Sequence, residues 1–282
     1  MFRRFLKSFK KKPTASTPDL SDGPYAFHMA GERLAWQRHF QILYGTTRIG
    51  DLDYVDLFWS CAHDTDTEMS RRMVFRRAQA GLNLVRYFLE ASTLPGARAE
   101  CGVFRGMSSL LLCRAERATH PGFDGSGMFL FDSFERFSEP TEFDMIQTTD
   151  ERGETAMQRP FPANSRLKTS LDEVKHALAE FPALEIRQGW LPGTLQQLPE
   201  QTWSFVHLDV DLYEPTLGGL EYFYPRLCPG GIIITDDYAT PRYPGARKAW
   251  ERFCESNDVP YLVLGGTAQA VIIRAPERLP KP

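Results

Sequence analysis

A chain of 282 residues with 42% apolar and 24% charged side chains can bury a substantial core, as one large domain or two small ones. A net charge of −3 removes any global electrostatic reason to bind nucleic acid, and no apolar run approaches the roughly 20 residues that a spanning helix requires. Five scattered cysteines (Cys61, Cys101, Cys113, Cys228, Cys254), without a CxxC pair or zinc-like spacing, argue against a disulfide framework and read as reduced thiols of a soluble, cytoplasmic protein.

The segment Met1–Lys12 (MFRRFLKSFKKK) interleaves Phe2, Phe5, Leu6 and Phe9 with basic residues. In a helix these apolar residues share a face, the pattern of a weak membrane-surface contact through residues 1–12; the competing reading is a soluble basic terminus. The segment lacks the apolar core and cleavage site of a secretory signal. Pro13–Pro24 is rich in Pro, Ser, Thr, Asp and Gly and reads as a linker, closing a first region of 1–24. Residues 25–95 read as a helical cap region. Apolar residues recur there at helical spacing over Glu32–Leu43 and Glu68–Glu90, with Met69, Met73, Phe75 or Ala78, Leu82, Val85 and Leu89 as the buried stripe of the second.

From 96 to 276 the pattern changes to strand-then-helix units. Strands are predicted at Arg98–Val103, Met128–Phe131, Leu184–Arg187, Phe205–Leu208 and Gly231–Ile234, and helices at Ser108–Ala115, Leu171–Phe181, Pro215–Arg226 and Ala246–Ser256. Leu262–Leu264 and Ala270–Arg274 close the chain as a pair of strands, read as antiparallel. Such alternation predicts an α/β fold, a parallel sheet with helices on both faces, and such sheets bind ligands beyond the carboxyl ends of their strands. The insertion 138–169 is long and polar, contains Pro140, Gly153, Pro160 and Pro162, and is expected to be a lid or a disordered loop.

The informative residues lie at those strand ends. Glu100-Cys101-Gly102-Val103-Phe104-Arg105-Gly106-Met107-Ser108 is a glycine turn opening a helix, where backbone amides and the helix terminus favour an anionic group. The acid Glu100 beside that turn repels phosphate and suits a cationic ligand. The anionic group could be a phosphate or the carboxylate of an amino-acid moiety, and S-adenosylmethionine carries an ammonium and a sulfonium, so the acid points towards it; the bland alternative is a tight strand-to-helix turn. Asp132-Ser133, at the end of the second strand, stands where nucleotide-binding sheets place a ribose ligand, unless Asp132 is a cap or turn residue. Gly189-Trp190 follows the third strand, and Trp190 could stack on an adenine or simply pack. Asp209 and Asp211 end the fourth strand, and Asp236 and Asp237 end the fifth. If these strands are neighbours, about 4.8 Å apart, the carboxylates converge on one hard cation such as Mg²⁺, Mn²⁺ or Ca²⁺. The alternative is a set of caps and solvated turn acids. Strand alternation is expected to point His207 away from Asp209's neighbours, so it reads as a packed or hydrogen-bonded strand histidine rather than as a ligand, and no histidine pair has zinc-site spacing.

These runs, with Leu208-Asp209-Val210-Asp211-Leu212-Tyr213-Glu214-Pro215-Thr216, Gln188-Gly189-Trp190 and Asp236-Asp237-Tyr238, resemble the macrocin O-methyltransferase (TylF-type) family over roughly Ala99 to Arg274. The resemblance implies a Rossmann-like class I methyltransferase fold: a mostly parallel seven-stranded sheet with helices on both faces and an antiparallel last strand. It also implies metal-dependent transfer of a methyl group from S-adenosylmethionine to a hydroxyl of a sugar or glycosylated natural product. Carried over, it makes Asp209, Asp236 and Asp237 the ligands of Mg²⁺ or another divalent cation and Asp211 the general base. Glu100, Gly102, Gly106, Ser108, Asp132, Ser133, Gly189, Trp190 and Asp209 become the cofactor-site residues. Met107 replaces a second glycine of many relatives, and Arg136-Phe137 replaces a Gly-Phe or Gly-Leu pair. A phenol or catechol acceptor, and a non-catalytic S-adenosylmethionine-binding protein, are the rival readings. The expected partners are a small-molecule hydroxyl acceptor and further copies of the chain in a homo-oligomer, with no nucleic acid.

Overall fold

Apolar runs of strand length alternate with amphipathic helical stretches, and the chain folds in that order. The computed structural model describes residues 47–67, 71–135, 137–149, 153–160 and 169–275, with side chains of the second helix described from Val74 on. The expectations for Met1–Lys12, for the Pro13–Pro24 linker, for a helix at Glu32–Leu43 and for Met69 and Met73 fall outside the described residues. From Arg48 onward the chain is one unit.

A short antiparallel hairpin, β1 (Arg48–Ile49) and β2 (Leu52–Asp53), leads into α1 (Tyr54–Asp64). Helix α1 is not among the helices expected from the sequence, although its signals are present. Asp53 caps it, accepting from the N–H groups of Val55 and Asp56 at 2.9 and 3.4 Å, and Tyr54, Val55, Phe58, Cys61 and Ala62 are buried at helical spacing. Helix α2 (Arg71–Ala91) buries Ala78, Leu82 and Val85 as expected, with Phe88 rather than Leu89 completing the stripe. The Tyr54 hydroxyl donates to the Ala78 carbonyl at 2.6 Å and fastens α1 to α2.

The strand-helix units then follow. They begin with β3 (Ala97–Cys101), α3 (Met107–Thr119) and β4 (Met128–Asp132). After a hairpin of β5 (Ile146–Thr149) and β6 (Thr155–Gln158) come α4 (Leu171–Ala177) and β7 (Glu185–Gln188). Next are β8 (Trp203–Leu208), α5 (Tyr213–Phe223), β9 (Leu227–Thr235) and α6 (Pro244–Asn257), and last β10 (Leu262–Val263) and β11 (Ala270–Ile273). The main sheet has seven strands in the order β10-β11-β9-β8-β3-β4-β7. Pairs β9-β8, β8-β3, β3-β4 and β4-β7 are parallel, whereas β11 runs antiparallel to both β9 and β10.

Alternation along the buried strands separates two faces. Ala99, Cys101, Phe131, Val206, Leu208 and Ile233 join Leu220 and Phe223 of α5 and Trp250 and Phe253 of α6 in one core cluster. On the opposite face Phe205 meets Phe88 of α2 edge-on at 5.1 Å, and α1, α2 and α3 pack against one another. Both faces are therefore covered, which is why these strands read as continuous apolar runs.

Two departures have local causes. Strand β9 begins at Leu227, ahead of the predicted Gly231, because Pro229-Gly230 is absorbed in a register shift against β8 instead of ending the strand. The β5-β6 hairpin within the 138–169 insertion was not foreseen. Its strands are short and largely exposed, with no apolar alternation to mark them. All five cysteines are buried and unpaired; burial pushes the Cys61 thiol up to about 12, so it stays protonated.

Candidate active site

The strand order reverses between β3 and β8: β4 and β7 lie to one side, and β9, β11 and β10 to the other. A cleft of about 420 Å³ opens at the carboxyl ends of these strands, as open α/β sheets place their ligand sites. Its floor is the seam between β3 and β8. Gly102 sits there at φ +90°, and a Cβ on it would meet the Asp209 carbonyl at 1.9 Å, so only glycine lets these two strand ends touch. The Asp209 N–H donates to the Cys101 carbonyl and the Gly102 N–H to the Phe131 carbonyl, each at 2.8 Å.

The β3-β4-β7 side is built from backbone held by one carboxylate. Asp132 Oδ2 accepts from the N–H groups of Val103 and Phe104 at 2.8 and 2.9 Å, and its Oδ1 accepts from that of Phe134 at 2.7 Å. Asp132 thus does line the cleft, but most of its accepting capacity is spent on shaping the two turns. Phe104 and Phe134, at φ +50° and +53°, hold left-handed backbone conformations in those turns, a strain of about 1–3 kcal/mol each that the surrounding hydrogen bonds sustain. Ser108, Ser133, Gly189 and Trp190 also line the cleft, as do Met107 and Glu135. Trp190 is 43% exposed, so its ring is available to a ligand rather than packed away.

Two predicted cofactor residues do not reach the cleft wall. Gly106, at φ +85°, precedes α3 and faces Leu178. Glu100 is fully buried; it accepts from the Ser109 hydroxyl and faces His207 Nδ1 at 2.9 Å. An acid two residues before the turn glycine lies within the strand, and here it points under the turn.

The β8-β9 side carries the acids, brought together as the neighbouring-strand argument requires. Asp209, Asp211 and Asp237 offer carboxylate oxygens within 4.8 Å of one another, and Asp209 and Asp236 form a second group with His207 inside the same limit. His207 is packed and hydrogen-bonded as expected, to Glu100 at 2.9 Å, but the expectation that it points away from Asp209's neighbours is corrected here. Residues two apart on a strand share a face, so His207 stands below Asp209, with Nε2 3.4 Å from Asp236 Oδ1. Asp211, at φ +62°, turns the chain back over the site, and its N–H donates to Asp237 Oδ2 at 3.1 Å.

Burial and then the neighbouring carboxylates push Asp209, Asp211 and Asp237 well above the ordinary carboxylate range. Burial acts on Asp236 in the same sense, but His207, the Gln269 amide and the Arg76 charge outweigh it and hold this carboxyl low. For His207 burial opposes the charge, yet Asp236 and Glu100 on its two sides raise its pKa well above the usual imidazole value. A cluster of oxygen donors that repel one another at the rim of a cleft matches what a hard divalent cation takes up and relieves.

The 138–169 insertion is anchored beside the acids. Asp144, buried, accepts from the Tyr213 N–H at 2.7 Å at the start of α5 and from the Thr141 N–H at 2.8 Å. A Cβ on Gly245 would lie 1.7 Å from Asp144 Oδ1, so α6 can approach this cap only through glycine. Phe137, Ser138 and Thr169, at the two ends of the insertion, line the cleft with Tyr243 of the turn before α6.

Comparison with known proteins agrees with this architecture. The family described as Macrocin-O-methyltransferase (TylF) matches residues 62–267. The chain is 33% identical over 165 residues to 8-demethyl-8-(2,3-dimethoxy-alpha-L-rhamnosyl)-tetracenomycin-C 4'-O-methyltransferase of Streptomyces olivaceus, covering 56% of this chain and 60% of that protein. It is 31% identical over 151 residues to demethyldecarbamoylnovobiocin O-methyltransferase of Streptomyces niveus, covering 52% and 54%. Over 169 residues it is 29% identical to mycinamicin III 3''-O-methyltransferase of Micromonospora griseorubida, covering 57% and 63%. The chain thus spans somewhat over half the length of these relatives. Among solved structures, the O-methyltransferase NovP superposes with a TM-score of 0.57 at 20% identity, covering 86% of this chain and 99% of that one. A calicheamicin methyltransferase superposes equally well at 19% identity, covering 93% and 99%; both likenesses are of fold.

Proposed function

The chain belongs to the macrocin-O-methyltransferase (TylF) family, and on that premise we propose that it methylates a hydroxyl of a sugar or glycosylated natural product, using S-adenosylmethionine and a divalent cation. The observation that carries this reading is a pair of acid groups on the cleft wall that share Asp209, one with Asp211 and Asp237 and one with Asp236 and His207, facing the glycine turn after β3. All three relatives just named are O-methyltransferases, and the name of the first specifies a rhamnosyl-bearing acceptor, which supports the choice of acceptor class.

The two sides of the cleft divide the work. Gly102, Ser108, Asp132, Ser133, Gly189 and Trp190 would receive the methyl donor on the β3-β4-β7 side. Asp209, Asp236 and Asp237 would hold the cation. When bound, the cation would supply a Lewis-acidic seat that lowers the pKa of the acceptor hydroxyl, and S-adenosylmethionine would supply the methyl group. Asp211, whose proton affinity is raised by burial and by Asp209, is poised as the base. It would take the proton of the acceptor hydroxyl whose oxygen receives the methyl group. The wall of Phe137 and Tyr243, 6.2 Å apart between ring centroids, flanks the acids and limits water there.

Calorimetric titration of S-adenosylhomocysteine, with and without Mg²⁺, tests the cofactor site directly. Binding, followed by Mg²⁺-dependent methylation in a screen of glycosidic and phenolic hydroxyls, is the expected result. Phenols belong in that screen because the aromatic wall would also accept a flat ring. Absence of binding by folded protein would remove the cofactor assignment, and binding without metal-dependent turnover of any acceptor would favour a non-catalytic role.

A further inference from the structure

A buried polar ladder runs beneath the cleft, from β3 and β8 to the residues just beyond the end of β9 and just ahead of β11. Glu100 of β3 and His207 of β8 are register partners, and His207 is in turn the partner of Ile234 in β9, two residues before Asp236. Side chains at these positions share one face. The Ser109 hydroxyl of α3 donates to Glu100 Oε2, Glu100 Oε1 meets His207 Nδ1 at 2.9 Å, and His207 Nε2 meets Asp236 Oδ1 at 3.4 Å. From the far side Gln269, just ahead of β11, donates through Nε2 to Asp236 Oδ1 at 2.8 Å and to the Ala80 carbonyl at 3.0 Å. Ser109, Glu100, His207 and Gln269 are all fully buried.

A buried carboxylate is costly unless paired, and Glu100 meets that requirement wholly inside the protein, with both oxygens engaged and no surface on the cleft. On the other end, Asp236 Oδ1 accepts from Gln269 and lies 3.4 Å from His207 Nε2, a buried nitrogen with no other partner, while no donor within the described residues engages Oδ2. We infer that Glu100 and His207 are positioning residues for Asp236, fixing which oxygen it turns to the cation, and that Glu100 is not a contact of the methyl donor. This rests on the proposed metal role of Asp236. It goes beyond that role by assigning the acid of the glycine turn to the opposite side of the site. Histidine and carboxylate partners behind metal ligands typically govern about 10–100-fold in metal affinity.

The test separates the two sides of the cleft. Mn²⁺ binding would be titrated calorimetrically and by electron paramagnetic resonance on the full chain and on Glu100→Gln and His207→Gln, with S-adenosylhomocysteine titrated in parallel without metal. Both variants should bind Mn²⁺ about tenfold or more weakly, and S-adenosylhomocysteine within about twofold of the unmodified protein. Loss of S-adenosylhomocysteine affinity in Glu100→Gln with Mn²⁺ affinity retained would overturn the inference and return Glu100 to the cofactor site. If the unmodified protein binds no Mn²⁺, the metal reading and the inference fall together; equal Mn²⁺ affinity in protein and variants sinks the inference alone. Should circular dichroism show either variant unfolded, Ser109→Ala removes only the outermost hydroxyl and should still weaken Mn²⁺ by about threefold. No change there would equally overturn it.

Discussion

The two walls of the cleft solve opposite problems. On the β3-β4-β7 side the groups are satisfied before any ligand arrives: Asp132 takes three backbone N–H groups, and the turns it shapes hold their left-handed residues in place. On the β8-β9 side they are not, because Asp209, Asp211 and Asp237 crowd within 4.8 Å and raise one another's proton affinity. One wall is a preformed backbone cradle suited to a ligand read by shape and hydrogen bonds. The other is an electrostatic conflict that a cation resolves. Preorganisation therefore resides on one side and charge on the other, and each can be disturbed without the other.

Asp211→Asn should have the largest effect. It removes the proposed base while keeping the shape, so kcat should fall by about 10²–10⁴-fold with S-adenosylhomocysteine affinity nearly unchanged, as single-turnover kinetics and calorimetry would show. A matching loss of cofactor affinity would mean that the walls are not independent.

Relieving the acid conflict should come next. Mg²⁺ or Mn²⁺ at about 100 times its Kd should stabilise the fold by about 2.7 kcal/mol, read from denaturant melts. The sign of the pH dependence follows from the raised carboxyls. In metal-free protein the folded state holds protons that the unfolded chain has already released, so stability should fall as pH rises from the ordinary carboxylate range through the raised folded values. Saturating cation should flatten that slope, and a slope indifferent to cation would disconnect the acids from metal.

Asp132→Ala strikes the other wall. Three N–H groups lose their acceptor, and because the site is only half-buried, water recovers part of the loss; about 2 kcal/mol of stability is expected. S-Adenosylhomocysteine affinity should fall with it, while Mn²⁺ affinity should hold. The smallest effect is expected for Trp190→Ala. An exposed ring that stacks on the adenine contributes about 1 kcal/mol, a loss of roughly fivefold in cofactor affinity with no change in stability. Unchanged affinity would show that the exposed ring serves the acceptor or nothing at all.

Much of this site was legible beforehand for a physical reason. A glycine after an apolar run, and acids after two others, mark strand ends whatever the surroundings, and residues at strand ends of a parallel sheet meet at its rim. Asp209 with Asp211, and Asp236 with Asp237, could thus be placed at the rim from local pattern alone, and the pairing of β8 with β9 brought the two sets together. His207 could have been added from the same pattern, since it stands two residues before Asp209. The helix α1 was also written in the chain, in the Asp53 cap and the spacing of Tyr54, Phe58 and Cys61, but its short span was easily overlooked beside the longer stripe of α2. The β5-β6 hairpin left no periodic signal, because its side chains are largely exposed and share no buried face.

The sequence by itself determined the alternation of strands and helices, the positions of the turns and the residues that end the strands, because backbone preference and hydrophobic period act over a few neighbours. Only the tertiary structure decided which way those residues face and what they spend their hydrogen bonds on. Glu100 turns inward because His207, 107 positions away in the chain, pairs beside it in the sheet. Asp132 shapes the neighbouring turn because β3 and β4 lie side by side, although it stands 29 positions from Val103 in the chain. A carboxylate takes its role from the donor that reaches it, and that donor is chosen by strand order, which no local pattern contains.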